Sequence, residues 1–196
     1  MRMKQKNILD MIEEYGEEEC QKILSSFQCP LNKDVEEFIH KKAIPFAEQH
    51  IAMTFLVFSK QNNQTLLIGY YTLTNKIVSI PKKVLSRAMQ KRIKKFSQCD
   101  EKEDCYMIPI PLIAQLGKNY ANPKEFHVAG YHLLKIACDK VRQAQRIIGG
   151  KMTYIECLSD IHLYQFYTSN EFYEFGQREN QSPEKRKLIQ MLKYFK

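Results

Sequence analysis

The sequence lacks several features that would place it outside the ordinary globular proteins. No apolar run approaches the ~20 residues that a membrane-spanning helix needs. The N-terminal stretch MRMKQKNILDMIEEYGEEEC has no continuous apolar core of the signal-peptide type. No repeat, low-complexity segment or Gly/Pro/Ser-rich linker divides the chain. We therefore expect one cytoplasmic domain over residues 1–196, with no membrane partner.

The six cysteines form no C-x-x-C pair, and no histidine lies at zinc-finger spacing from them. A cytoplasmic protein keeps its thiols reduced. We therefore expect most of the cysteines to be small buried apolar side chains, and we expect no metal site.

Acidic residues are missing from one basic window. Between Lys76 and Lys95 there is no acidic residue, and the formal net charge of the whole chain, +8, equals the charge of this window. A charge concentrated in this way favours an anionic partner. The basic residues are Lys76, Lys82, Lys83, Arg87, Lys91, Arg92, Lys94 and Lys95.

Apolar periodicity predicts most of the secondary structure. Three- and four-residue spacing predicts a helical N-terminal extension over residues 1–26 and a helix over 34–49. Two β-branched and aromatic runs, 51–58 and 65–73, flank a short polar segment and predict a β-hairpin. The later predicted elements are a strand at 106–116, a helix at 130–146, a strand at 151–158 and a short helix from Ser159 or Asp160. The segments EFYEFGQR and KLIQMLKYF complete the sheet, although the pattern of the second suits a helix equally well.

The basic window also has helical spacing. Residues 80–98 are predicted to form an inserted helix with one apolar and one cationic face. The cationic face is either a phosphate-binding surface or an ordinary solvated surface. The apolar face comprises Leu85, Met89, Ile93 and Phe96, and the basic stripe comprises Lys83, Arg87, Lys91 and Lys95.

Prolines interrupt the most apolar strand. The run YMIPIPLIAQL is typical of a central strand covered on both faces. Pro109 and Pro111 cannot donate ladder hydrogen bonds, so this part of the strand should splay or lie at an edge. The order of elements predicts an α/β protein with a mixed sheet.

Three stretches in order resemble the GNAT superfamily of N-acetyltransferases, namely LIAQLGKN, GYHLLKIACDKV and LYQFYTSNEF. The resemblance spans roughly residues 27–178. FQCPLNKDVEEFIHKKA and IGYYTL look like the tRNA-acetylating toxin branch of that superfamily. The resemblance implies the GNAT fold, a mixed central sheet flanked by helices, to which this chain adds an N-terminal helix and the inserted basic helix.

The resemblance also implies acetyl-CoA as the acyl donor. It places the pantetheine arm on the backbone of Leu116 and Lys118, with the N–H of Leu116 polarising the thioester carbonyl. The diphosphate loop departs from the family pattern, because Glu125 replaces Gln or Arg and Val128 replaces a glycine. The implied cofactor-binding residues are Gln115, Leu116, Gly117, Lys118, Glu125, Phe126, His127, Val128, Ala129, Gly130, Tyr131, Asp160 and Tyr167.

Tyr167 matches the family tyrosine that protonates the departing CoA thiolate, and with Leu116 it is the implied catalytic residue. Asp160 is either a cofactor-site residue or only a helix cap. No general base is evident; Tyr70, Tyr71 and Glu156 are weak candidates.

The leading hypothesis is a toxin-like acetyl-CoA-dependent N-acetyltransferase that acts on the amino group of an aminoacyl-tRNA by direct transfer. Alternatives are acetylation of a small-molecule or protein amine, and a non-catalytic regulator that binds nucleic acid or CoA. The resemblance also suggests a homodimer and a small antitoxin partner. The predicted nucleic-acid contacts are Lys83, Arg87, Lys91, Lys94 and Lys95.

Overall fold

The computed structural model describes residues 2–61, 64–121, 129–180 and 185–196. The chain divides into two compact units. Unit 1 comprises Met1–Thr74 and Ile113–Ala137, and unit 2 comprises Asn75–Leu112 and Cys138–Lys196. Within the described ranges, no helix has both the length and the apolar composition that crossing a membrane requires.

The elements follow one another as β1 (Arg2–Asn7), α1 (Ile8–Tyr15), α2 (Glu17–Ser25), α3 (Lys33–Lys41), α4 (Ala43–Glu48), β2 (Met53–Gln61), β3 (Gln64–Pro81), a 3₁₀ turn (Lys82–Val84), α5 (Arg87–Ile93), β4 (Gln98–Asp100), β5 (Cys105–Lys118), α6 (Gly130–Ile148), β6 (Met152–Leu158), α7 (Ile161–Ser169), β7 (Tyr173–Glu179) and β8 (Lys187–Tyr194).

Unit 1 packs helices α1–α4 with an antiparallel sheet of β1, β2 and the first part of β3. Helix α3 starts at the cap Asn32, whose side chain accepts hydrogen bonds from two backbone N–H groups of the first turn. Its apolar positions bury Phe38 beside Tyr70, with ring centroids 6.4 Å apart. Phe27 meets the same tyrosine edge-on at 5.1 Å. The hairpin that the two β-rich runs predict is formed by β2 and β3. The aromatic cluster packs the helices against it.

Unit 2 contains a mixed sheet in which β5, β6, β8 and β7 follow one another, while β4 pairs with the start of β5 outside this order. Strands β5 and β6 are parallel and pair at Leu112 and Tyr154, whereas the other pairs are antiparallel. The carbonyl of Pro111 accepts a hydrogen bond from the Thr153 hydroxyl at 3.0 Å, so a side chain replaces the ladder partner there. Strand β7 carries a register shift between Glu174 and Gly176. The predicted α/β class with a mixed sheet is confirmed.

The N-terminal extension differs from the predicted helix in its first residues. Residues 2–7 form β1, an edge strand paired with β2, and helix begins only at Ile8. Asn7 ends the strand and caps α1, because its side chain accepts a hydrogen bond from the Leu9 N–H at 2.9 Å. The predicted helix over 34–49 is likewise divided, at Lys42, three residues before Pro45, which lacks the N–H that a continuous helix would use.

The inserted basic helix is shorter than the predicted span of 80–98. Strand β3 continues to Pro81, and α5 covers only Arg87–Ile93. Lys82 is anchored instead by Glu101 at 2.9 Å and Asp104 at 3.0 Å, and Ser86 caps the helix late. The apolar stripe is still directed inwards, since Ile93 is fully buried.

A half-buried ion pair holds one face of the unit 2 sheet together. The Arg178 guanidinium binds both carboxylate oxygens of Glu156, the Tyr154 hydroxyl also donates to that carboxylate, and Lys76 Nζ lies 3.5 Å away. Burial alone would raise the pKa of Glu156, but these hydrogen bonds and charges lower the pKa to about 2.

The end of β5 in unit 1 requires glycine. A Cβ on Gly117 would lie 2.6 Å from Val35 Cγ1, 2.8 Å from Tyr70 Cε1 and 2.9 Å from Phe27 Cζ. Gly69 on β3 is equally crowded, because its Cβ would lie 2.7 Å from the carbonyl oxygen of Gly117. The two glycines allow the backbones and the aromatic cluster to approach one another closely.

Gly117→Ala should lower the free energy of unfolding by about 2 kcal/mol, because the methyl group overpacks a filled site. Urea unfolding followed by circular dichroism measures this change. Gly176→Ala is the control, since its Cβ meets only the flexible end of Gln190 at 3.1 Å. Equal stability losses in the two variants would contradict the role given to Gly117.

Glu156→Gln should flatten the acid limb of the stability profile. The folded pKa of Glu156 lies below its ordinary value of 4.5, so its ionised form contributes stability above that pH. This contribution, up to about 3 kcal/mol, is lost as the pH falls from about 5 towards 2. Urea unfolding at a series of pH values measures the slope. Glu37→Gln, which breaks the exposed pair with Lys41, should leave the slope nearly unchanged.

Candidate functional site

The last residues of β5 supply the strand that the resemblance assigns to the pantetheine arm. Gly117 is buried, whereas Gln115, Leu116 and Lys118 are half-buried. The Lys118 ammonium lies 5.0 Å from the centroid of the Tyr120 ring. Three of these four residues therefore keep some accessible surface in unit 1.

Only part of the diphosphate loop lies in the described residues. The predicted site residues Glu125, Phe126, His127 and Val128 lie outside the described residues. The two departures from the family pattern, at Glu125 and Val128, are therefore known from the sequence alone. Gly130 is the first residue of α6, and Ala129 directly precedes it. Tyr131 is half exposed, and its ring centroid lies 3.9 Å from that of His132.

Asp160 caps α7. Its carboxylate accepts hydrogen bonds from the N–H groups of His162 at 2.9 Å and Leu163 at 3.0 Å. The helix-cap interpretation is therefore confirmed. A contact between Asp160 and a cofactor remains a prediction.

Tyr167 lies in the last turn of α7, in an aromatic and apolar setting. Its ring contacts Phe166 at 5.0 Å and Phe172 at 5.7 Å between centroids. Burial raises the pKa of Tyr167 above its ordinary value, and the nearby thiols Cys157 and Cys138 act in the same direction. Within the described ranges its hydroxyl makes no hydrogen bond. The result is a protonated phenol that is free to donate.

The turn after α7 explains one departure from the family pattern. Glu171, where the family usually has glycine, adopts a left-handed conformation with φ of 64°. Its carboxylate lies 3.2 Å from Lys193 Nζ, and its N–H donates to the Thr168 carbonyl at 3.0 Å. These contacts hold a turn that glycine would form more readily.

None of the three weak candidates for a general base is suited to that role. The Tyr70 hydroxyl is buried and donates to the Val35 carbonyl at 2.6 Å, and the Tyr71 hydroxyl donates to Gln5. Burial raises the pKa of both phenols. Glu156, with a pKa of about 2, binds a proton too weakly near neutral pH.

The predicted nucleic-acid contacts form a basic patch in unit 2, defined as Lys83, Arg87, Lys91, Lys94 and Lys95. All of them are exposed. No ion pair to a described residue neutralises any of them, in contrast to Lys82 with its two carboxylate partners. The neighbouring Arg92 packs its guanidinium 5.3 Å from the Tyr194 ring, which attaches α5 to β8.

The sequence analysis did not predict the hydrogen-bonding roles of two polar residues, Glu156 and Asn119. Glu156 was considered only as a base, although Arg178 holds it in an ion pair. Asn119, directly after β5, bonds to two other segments of unit 1, the loop at Gln28 and strand β3 at Leu67. No sequence spacing indicates either arrangement, because the partners are distant along the chain.

Searches against protein-family models and curated proteins found no match. Solved structures do match. One is AtaT complexed with acetyl-methionyl-tRNAfMet, at 15% identity and a TM-score of 0.64, covering 96% of this chain and 94% of that one.

Two further structures carry Tyr-to-Phe substitutions. A mutant of KacT is 15% identical with a TM-score of 0.65 and covers 97% of this chain and 95% of that one. A mutant AtaT toxin, bound to the C-terminus of the antitoxin AtaR and acetyl-CoA, is 16% identical with a TM-score of 0.52. The match covers 86% of this chain and 84% of that one. The predicted fold is therefore confirmed: the chain has the GNAT fold that these toxins share.

Proposed function

We propose that the chain is an acetyl-CoA-dependent N-acetyltransferase that transfers the acetyl group directly to the amino group of an aminoacyl-tRNA. The observation that carries the proposal is Tyr167, a half-buried phenol at the end of α7 that is packed between Phe166 and Phe172 and whose hydroxyl has no described acceptor. A proton donor held in this way suits a reaction that expels a thiolate.

The transfer requires one bond to form and one to break. The amine nitrogen attacks the thioester carbonyl carbon, the C–S bond breaks, and the Tyr167 hydroxyl gives its proton to the leaving sulfur. The amine releases its proton to water, from which the phenolate is reprotonated. An aminoacyl ester has an α-amine far less basic than a lysine side chain, so it needs no strong protein base. The reaction therefore asks none of the candidate bases to act, and each of them is already engaged in hydrogen bonds, Tyr70 and Tyr71 in unit 1 and Glu156 in unit 2.

The end of β5 would bind the donor. Acetyl-CoA supplies an activated acyl group on an arm with peptide-like amides. The backbone of the half-buried residues Gln115, Leu116 and Lys118 would offer partners for those amides, and the Leu116 N–H would stabilise the oxyanion. Ala129, Gly130 and Tyr131 open α6, where backbone N–H groups suit a diphosphate.

Charged tRNA is the acceptor that best fits the surface. The basic patch presents five exposed cations, none of which forms an ion pair with a described residue, and such a surface suits phosphate contact. AtaT, which shares the fold, has been solved with an acetylated methionyl-tRNA, and this supports the same acceptor class. A small antitoxin partner is proposed from the AtaT structure bound to AtaR, and a homodimer from the family resemblance alone.

Tyr167→Phe should lower kcat about 100-fold or more while acetyl-CoA still binds, because only the transferable proton is lost. Transfer of labelled acetyl to a mixed pool of charged tRNA measures the rate, with deacylated tRNA as the blank. Tyr164→Phe, on the same helix, is the matched control. A wild-type chain that binds acetyl-CoA but labels only small amines or proteins would exclude the tRNA acceptor. Full activity in the Tyr167→Phe variant would exclude the acid role.

Neutralising Lys83, Arg87 and Lys91 together to Gln should raise KM for charged tRNA at least about tenfold, with kcat little changed. The salt dependence of binding should weaken by about 0.7–0.9 per lost phosphate contact in the log–log slope. The control makes the same charge change at the exposed Lys33, Lys42 and Lys60. If both triple variants raise KM equally, net charge rather than this patch governs binding.

A further inference from the structure

Asn119 ties the end of β5 to two other segments of unit 1. Its side-chain N–H donates to the Leu67 carbonyl at 2.9 Å, and its backbone N–H donates to the Ile68 carbonyl at 3.0 Å, so it is fixed to β3. Its side-chain oxygen accepts from the N–H groups of Gln28 and Ala121, each at 3.0 Å. A single amide thereby acts as donor and acceptor at once.

Gln28 belongs to the loop between α2 and α3, and its contacts with the strand end are reciprocal. While its N–H donates to Asn119, its carbonyl accepts from the Tyr120 N–H at 2.8 Å. The two hydrogen bonds resemble a strand pairing in which a side chain replaces one backbone partner. The loop and the strand end therefore share two hydrogen bonds in this small area.

The loop is exposed where it follows this contact. Phe27 is buried against the Gly117 position, but Gln28, Pro30 and Leu31 are exposed, with Leu31 at 78%. The backbone around them is held, since the His40 ring bonds the Phe27 carbonyl at 2.9 Å and the Cys29 N–H donates to Glu36 at 2.5 Å. A rigid, exposed loop thus lies directly against the end of the strand.

We propose that Asn119 is a positioning residue, which holds the loop 28–31 against the end of β5 so that the acceptor amine meets the thioester correctly. The inference rests on the proposed function, because it assigns the acyl donor to this strand end. The loop adjoins the chain just after Leu116 and Gly117, because Gln28 bonds to both Asn119 and Tyr120, and the loop's place depends in part on the Asn119 amide. Asn119 touches neither reacting group and acts through the backbone that it holds.

The test compares Asn119→Ala with Asn7→Ala, which makes the same substitution at an asparagine that caps α1 through one hydrogen bond to the Leu9 N–H. Three quantities are measured for each variant and the wild type. These are kcat for acetyl transfer to charged tRNA, Kd for acetyl-CoA by calorimetry, and amide hydrogen exchange at Gln28 and Ala121.

We expect Asn119→Ala to lower kcat at least about tenfold, because small misplacements of reacting groups are costly, while Kd for acetyl-CoA changes less than about threefold. Exchange at Gln28 and Ala121 should accelerate about tenfold. Asn7→Ala should retain wild-type kcat. Asn119→Asp keeps an acceptor for both N–H groups but loses the donor to Leu67, so its kcat should fall only about threefold.

The proposal is overturned if Asn119→Ala has the same kcat as Asn7→Ala. It is also overturned if kcat of Asn119→Ala falls while amide exchange at Gln28 and Ala121 stays at the wild-type rate. If Asn119→Ala does not fold, kcat and amide exchange of Asn119→Asp are compared with those of Asn7→Ala in its place. A wild-type chain that neither binds acetyl-CoA nor transfers acetyl refutes the proposed function itself, and with it the positioning role.

Discussion

The close approach of β5 to the aromatic cluster at Gly117 is the constraint on which unit 1 depends. Because no Cβ occupies this position, Phe27, Tyr70 and Val35 reach the strand directly. The contact fixes the start of α3 and the loop before it against the strand end. The backbone assigned to the acyl donor is thereby set by packing in the core rather than by surface contacts.

Polar contacts complete what this packing begins. The Tyr70 hydroxyl donates to the Val35 carbonyl inside the core and so joins β3 to α3. Near the surface, Asn119 joins the end of β5 to the loop before α3 by accepting from the Gln28 N–H. In unit 2, by contrast, some charged groups form ion pairs and others do not. Glu156 and Arg178 neutralise each other within the sheet, whereas no residue of the basic patch forms an ion pair with a described residue. The positive charge left for a partner is therefore concentrated around α5.

Sequence patterns predicted the elements whose periodicity is strong and local, such as the hairpin, α6, β6 and the Asp160 cap. They missed β1 because RMKQKN is a mostly polar edge strand without apolar alternation. They overextended the basic helix because the position of Lys82 depends on Glu101 and Asp104, beyond the helix. Tyr167 was identified through family resemblance, whereas the hydrogen bonds of Asn119 join residues too far apart in the chain for any spacing to indicate.

The register shift in β7 also affects how the protein behaves at high concentration. β7 ends the strand order of unit 2, and an extended edge of this kind invites pairing with a neighbouring molecule. The bulge between Glu174 and Gly176 interrupts the row of backbone groups, and the exposed charge of Glu179 further disfavours a second strand. The β7 edge thus carries its own protection against edge-to-edge aggregation, independent of whatever the site binds.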